Sequence, residues 1–298
     1  MSHSLEAPLS IKDWTARAAA HAARVGPWAD AFVGRRSRGL KHPVHDFLFT
    51  YYSFAPGKLK QWWPALGERL EVSDAALAAH PWLPGRWAHI ENGVLSLRHD
   101  LLDARMCDLA RFVADLCAAI TDRPPRFRCF GLHEWAMVYR QTPEQVRHNA
   151  HALRLGPDEL ATFVESQTIG CSHYDAYRFF TPGARPLNTL NPVLETRLEM
   201  EQGGCLHANM DLYKWSTKLW PWTGSDLVAD TFLLALEGRD LDMRASPYDL
   251  AGMGCEPVRI ETEEGRRQYQ LEQQRFTERS GPVRERLHAA CEKIRRKT

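Results

Sequence analysis

Four short stretches set residues able to do chemistry inside strongly apolar surroundings: His42-Pro-Val-His45-Asp46, Gly131-Leu-His133-Glu134-Trp135, Cys171-Ser-His173-Tyr-Asp175 and Cys205-Leu-His207-Ala-Asn209-Met-Asp211. An isolated ionised group is expensive to bury, so each insertion needs a partner, a metal or access to water. His42 and Asp46 are spaced i, i+4, as are His207 and Asp211, and in helices each pair projects from one face. His173 and Asp175 share a face if residues 169–180 are extended. Imidazole and carboxylate brought together in this way suit iron, manganese or zinc. His42, Asp46, His133, His173 and His207 are therefore candidate metal ligands, with Glu134, Asp175 and Asp211 in the same pool. The competing reading is structural, because a His one turn from a carboxylate most often makes an internal hydrogen-bonded pair.

The carboxylates also serve a chemistry without metal. Asp46, Glu134, Asp175, Asp211, Asp242 and Asp249 lie in aromatic or apolar contexts, where desolvation raises a pKa and makes a general acid or base. Asp242-Met-Arg244 is the obvious structural case, a salt bridge or cap. Tyr52, Trp135, Tyr139 and Tyr174 flank the clusters, and Arg178, Asn209 and Lys214 are interleaved with them. Flat rings beside edge-binding polar groups are what a pocket for a flat heterocycle or nucleobase needs. Core packing is the ordinary fate of such rings.

Other machinery is missing from the sequence. There is no GxGxxG, GxxxxGK[ST] or GxSxG, which disfavours a dinucleotide fold, a P-loop and an α/β-hydrolase elbow. His133-Glu134 opens like a zincin HExxH, but Met137 stands where the second His belongs. The zinc deaminase pattern, HxE with PCxxC, is absent too. Gly203-Gly204, ahead of the His207 segment, offers backbone N–H groups to an anion. The seven cysteines are odd in number and scattered, with no CxxC. They read as reduced, mostly buried thiols.

The elements that must position these residues follow from periodicity. Helices are expected over 11–32, with Gly26-Pro27 interrupting or ending it, and over 43–52, 73–79, 103–120, 142–154, 157–167, 207–218, 225–241, 262–277 and 283–297. Alternation around Asn92-Gly93 predicts a hairpin over 87–97. The fold class is mainly α (α+β), a compact helical domain with a small antiparallel β element. It is read as one domain over 1–298, with an N-terminal helical extension over 1–40 and a basic helical tail over 282–298.

Composition bounds the partners. Lys plus Arg number 38 against 37 Asp plus Glu, a formal charge of +1, which gives duplex DNA binding no support. Arg outnumbers Lys by 30 to 8, which fits either planar recognition of anions or a GC-rich genome. No apolar run approaches the roughly 18 residues that span a bilayer, so no membrane partner is expected. The first residues lack the basic start and apolar core of a signal peptide, which makes the expected location cytoplasmic.

At the same segments the chain resembles a bacterial family commonly labelled 3-methyladenine DNA glycosylase. The matching strings are His42-Pro-Val with Asp46-Phe-Leu-Phe-Thr-Tyr-Tyr-Ser-Phe54, Gly131-Leu-His-Glu-Trp-Ala-Met-Val-Tyr139, Ser172-His-Tyr-Asp-Ala-Tyr-Arg-Phe-Phe-Thr-Pro182, Leu206-His-Ala-Asn-Met-Asp-Leu-Tyr-Lys-Trp215 and Leu241-Asp-Met-Arg-Ala-Ser-Pro-Tyr-Asp-Leu250. The resemblance implies cleavage of the N-glycosidic bond of a modified purine. Read that way, Asp211 or Asp175 orients water and stabilises the sugar, with Glu134 as a further carboxylate, and no cofactor is required. Two alternatives stay open: a metal-dependent hydrolase or oxygenase using Fe, Mn or Zn on a small flat heterocycle, and a binding protein without activity.

Overall fold

The computed structural model describes residues 7–146 and 150–296. Among them the elements run α1 (Ile11–Ser37), α2 (Phe47–Tyr51), α3 (Pro56–Lys60), β1 (Arg69–Glu71), α4 (Asp74–Ala79), β2 (Ala88–Glu91), β3 (Val94–Leu97), α5 (Ala104–Asp122), α6 (Leu132–Val138), α7 (Pro157–Glu165), α8 (Tyr174–Tyr177), α9 (Arg197–Met200), α10 (Leu206–Lys218), α11 (Ser225–Arg244) and α12 (Glu263–Arg295). The protein is mainly α with one small antiparallel sheet, as its sequence predicts. No helix among the described residues is long and apolar enough to cross a membrane.

The contacts divide the chain into two compact units. Unit 1 comprises Met1–Cys117, Leu212–Leu233 and Val283–Thr298, and unit 2 comprises Ala118–Asp211 and Leu234–Pro282. In unit 1, Ser10 caps α1 by accepting the amide of Asp13, and Trp14, Ala18, His21, Val25, Ala29 and Phe32 form its buried stripe. The expected break at Gly26-Pro27 does not occur, and the helix runs on to Ser37. Proline in a helix interior costs about 3 kcal/mol. The buried stripe continues on both sides of it, and α1 packs against α3 and β1, so the helix persists. Asn92 (φ 50°) and Gly93 (φ 73°) take the left-handed conformations that a two-residue hairpin loop requires. They join β2 to β3 with Glu91 opposite Val94, and β1 pairs along the other edge of β3.

Three further elements differ from expectation. Over 43–52 only Phe47–Tyr51 is helical, because the His42 ring accepts the amides of Val44 and His45 and Asp46 Oδ2 accepts that of His42. Such local side-chain bonds compete with helix. The helix expected over 142–154 falls partly on residues 147–149, outside the described residues. On either side the chain is not helical, and Leu153 instead bridges to Tyr248. The two C-terminal helices are one, continuous through Pro282, since the buried positions Tyr269, Gln273, Phe276, Ser280, Arg284, Leu287 and Cys291 keep a helical period across it. Lys297, the last residue of the expected tail helix, lies outside the described residues.

Unit 2 is held by close approaches. Trp135 is fully buried and donates its indole N–H to the Ala245 carbonyl at 2.8 Å. A Cβ on Gly238 would stand 2.7 Å from Met210 Cγ and 2.8 Å from the Phe276 ring, so this position of α11 admits only glycine against those side chains.

Candidate functional site

In unit 2 three helices bring together a histidine, a second histidine and an aspartate. The starting residue is Gly131, whose φ of +74° permits the sharp entry into α6. A Cβ there would meet that of Ala245 at 3.1 Å. α6 then supplies His133 and Glu134, α11 supplies Arg239 and Asp242 one turn apart, and α10 supplies His207. His133 Nε2 lies 2.7 Å from Asp242 Oδ1, and Arg239 donates to Asp242 Oδ2 at 2.8 Å and to Glu134 Oε1 at 3.0 Å. The His207 ring meets that of His133 edge-on with centroids 4.5 Å apart, and its Nε2 stands 3.9 Å from Asp242 Oδ2. One ligand-type atom from each of His133, His207 and Asp242 lies within 4.8 Å of the other two.

The electrostatics divide the two imidazoles. Burial opposes charge on His133, but the Asp242 carboxylate outweighs it and raises the His133 pKa well above 6.5, with a smaller contribution from Cys129, whose Sγ is 3.5 Å from Nδ1. Burial acts the other way on Asp242, yet His133 and His207 hold it below the ordinary carboxylate range. His207 is lowered to about 3, first by burial and then by the charge of His133, so it stays neutral. A buried ion pair of this kind is maintained by its hydrogen bonds more than by net attraction, because both charges have left water.

A second group stands beside the first. The His173 ring centroid is 5.5 Å from that of His207, and His173 is fully buried. Its Nε2 lies 3.4 Å from Asp211 Oδ2 and 3.6 Å from Glu201 Oε1, and neither ring nitrogen has a hydrogen-bond partner among the described residues. Arg197, on α9, approaches Glu201 at 3.5 Å and Asp211 at 3.7 Å while its other nitrogen binds Asp175. Asp175 also pairs with the exposed Arg178 at 3.2 Å, and the Arg197 guanidinium lies 5.9 Å from the centre of the Tyr174 ring. His173 and Asp175 do not sit on an extended strand. The amides of Ala176 and Tyr177 return to the His173 carbonyl and start α8.

The remaining candidates are placed elsewhere or engaged locally. His42 and Asp46 belong to unit 1, where Asp46 is bound by Arg35 and the two imidazoles of His42 and His45 stack with centroids 4.1 Å apart. Tyr52 and Lys214 are also in unit 1: the Tyr52 ring packs edge-on against Tyr213, and the Lys214 ammonium lies 4.5 Å over Trp215. Trp135 is core, Tyr139 donates its hydroxyl to Glu165 at 2.6 Å, and Asn209 donates to the Gly203 carbonyl at 2.8 Å. Gly203-Gly204 does not present an anion site. Gly204 donates to Gln202 and packs so tightly on Arg126 that a Cβ would fall 2.5 Å from its carbonyl oxygen. A cleft of about 300 Å³ in unit 1, lined by Arg17, Trp63, Trp222 and Asp226 among others, contains none of these residues.

Reading the sequence misassigns Asp242 and misses three residues. Arg244 pairs with Glu272 at 2.9 Å, whereas Asp242 is taken by His133 and Arg239. The spacing Arg239-x-x-Asp242 in an apolar helix is a signal for this pair. Arg197 and Glu201 sit in the polar stretch Leu194-Glu-Thr-Arg-Leu-Glu-Met-Glu-Gln202, where nothing but burial marks them: they are 5 % and 1 % exposed. Compared with protein-family models, curated proteins and solved structures, the chain matches none.

Proposed function

We propose that the chain is a hydrolase that cleaves the N-glycosidic bond of a modified purine, with Asp211 as the principal carboxylate. The observation that carries this reading is the setting of Asp211: 1 % exposed, on a regular helix, with His173 Nε2 at 3.4 Å and the Arg197 guanidinium at 3.7 Å. An oxocarbenium-like sugar is stabilised by a fixed carboxylate, and such a charge is most effective where water is excluded. A purine alkylated at N3 is already cationic, so breaking its bond returns the electron pair to the base and neutralises it. Little acid catalysis is then needed. Water adds to C1′ as the bond to nitrogen breaks, and its proton passes to Asp211, beside which His173 is placed to take it onward. Arg197 stands beside Asp211 and links it to Asp175. Tyr174 and Arg178 adjoin this group and suit contacts to the base. Trp135 and Tyr139, engaged in packing and in a surface bond to Glu165, are supporting residues.

The reaction as written uses no cofactor. All seven cysteines are free, which suits a reducing compartment, and we assign the protein to the cytoplasm. The reading is tested by incubating the protein with methylated duplex DNA and, separately, with N-methylated purine nucleosides, and separating released bases by chromatography. The native chain releases base from at least one of them, and Asp211→Asn slows release by about 10²-fold or more with an unchanged circular dichroism spectrum. Absence of base release from both substrates overturns it.

A further inference from the structure

The hydrolytic reading leaves His207, Asp242 and His133 unused, yet their arrangement exceeds what a structural pair needs. A structural role for Asp242 is met in full by His133 and Arg239, one on each carboxylate oxygen. His207 adds nothing to it: 3.9 Å from Oδ2 is beyond hydrogen-bond length, and no hydrogen bond reaches either of its ring nitrogens among the described residues. A partly buried imidazole is nevertheless carried there from a third helix, edge-on to the first.

We propose that His133, His207 and Asp242 form a mononuclear site for a divalent first-row transition ion. Two imidazoles and one carboxylate are the donor set that suits Fe(II), Mn(II) or Zn(II) rather than the all-oxygen cations. Adjacent ligands around a six-coordinate ion with bonds of ~2.1 Å stand about 3 Å apart and opposite ones about 4.2 Å. One ligand atom from each residue lies within 4.8 Å of the other two, a span that holds such spacings, and binding the ion displaces the proton that His133 shares with Asp242 Oδ1 at 2.7 Å. Three protein ligands leave positions open for water or substrate, the mark of a reactive site rather than a closed structural one.

The surroundings support the ligands. Arg239 fixes the orientation of the Asp242 carboxylate, and its charge is offset by Glu134 at 3.0 Å, so the guanidinium does not stand as an uncompensated cation beside the ion. Outer groups of this sort orient ligands in established metal sites. His42 and Asp46 do not enter the donor set. Nδ1 of His42 accepts two backbone amides, and among the described residues no third ligand-type side chain gathers with His42 and Asp46.

The test uses the full chain, purified without an affinity tag from cells grown with iron, manganese and zinc. Elemental analysis is expected to give about one equivalent of metal. The chelator-stripped protein, titrated with Co(II), is expected to develop a visible d–d absorption that saturates near one equivalent. His207→Ala, chosen because His207 carries no hydrogen bond that the fold needs, is expected to fall below about a tenth of an equivalent with circular dichroism unchanged. Asp46→Asn is expected to retain full loading. A native chain with no metal and no cobalt spectrum overturns the proposal, and so does a His207→Ala variant that loads like the native chain. The titration of the native chain decides the matter even if a variant fails to fold. Base release by metal-free protein would leave the hydrolytic reading standing without this site, and metal without base release would do the reverse.

Discussion

At the scale of single residues, the same side-chain type acquires different chemistry from its neighbours. His133 gains a carboxylate and is held as a cation, whereas His207 is held neutral first by burial and then by the charge of His133. His21 of unit 1 has a simpler setting: its Nε2 lies 2.7 Å from the Leu59 carbonyl, and burial lowers its pKa below 6.5. Its folded pKa lies below the unfolded value. As pH falls beneath about 6.5, the unfolded chain takes up a proton that the folded chain refuses, and stability is lost. Urea melts between pH 7 and 5 are expected to show this acid-side decline, and His21→Gln to flatten it. An unchanged slope in the variant would assign the decline to other groups.

At the scale of elements, the helix entries decide where the site residues arrive. Gly131 opens α6 in the left-handed region, and its missing Cβ lets the helix approach Ala245. Gly131→Ala is therefore expected to destabilise the protein by about 1–3 kcal/mol through backbone strain and contact. It should also displace His133 relative to Asp242. A lowered midpoint in thermal melting, together with loss of the ordered His133 imidazole signals in NMR spectra, checks both consequences. Much of this level is legible in the sequence. The Asn92-Gly93 hairpin, the helix over 73–79 that Ser73 caps and the apolar stripe of α1 all depend on residues within one or two turns of one another. Where the expectation stops too early, at Pro27 and Pro282, the reason is non-local: burial of the flanking stripe outweighs one missing backbone bond.

At the scale of the whole molecule, the 38 Lys plus Arg nearly balance the 37 Asp plus Glu. With a net charge of +1, non-specific affinity for duplex DNA at physiological salt is expected to be no tighter than about 10⁻⁴ M. Fluorescence anisotropy with an unmodified duplex measures it, and a micromolar dissociation constant would contradict the expectation. Sequence by itself determined the helical character, the hairpin, the unpaired thiols and the four polar insertions, because periodicity, turn chemistry and burial cost are properties of short segments. Only the tertiary structure decided which insertions meet. His133 and Asp242 are separated by 109 residues, and Arg197 and Glu201 come from a stretch with no apolar pattern to mark it. Convergence of that kind is set by how α6, α9, α10 and α11 pack, so the shift of Asp242 from a local partner of Arg244 to the centre of the histidine cluster had no expression in local spacing.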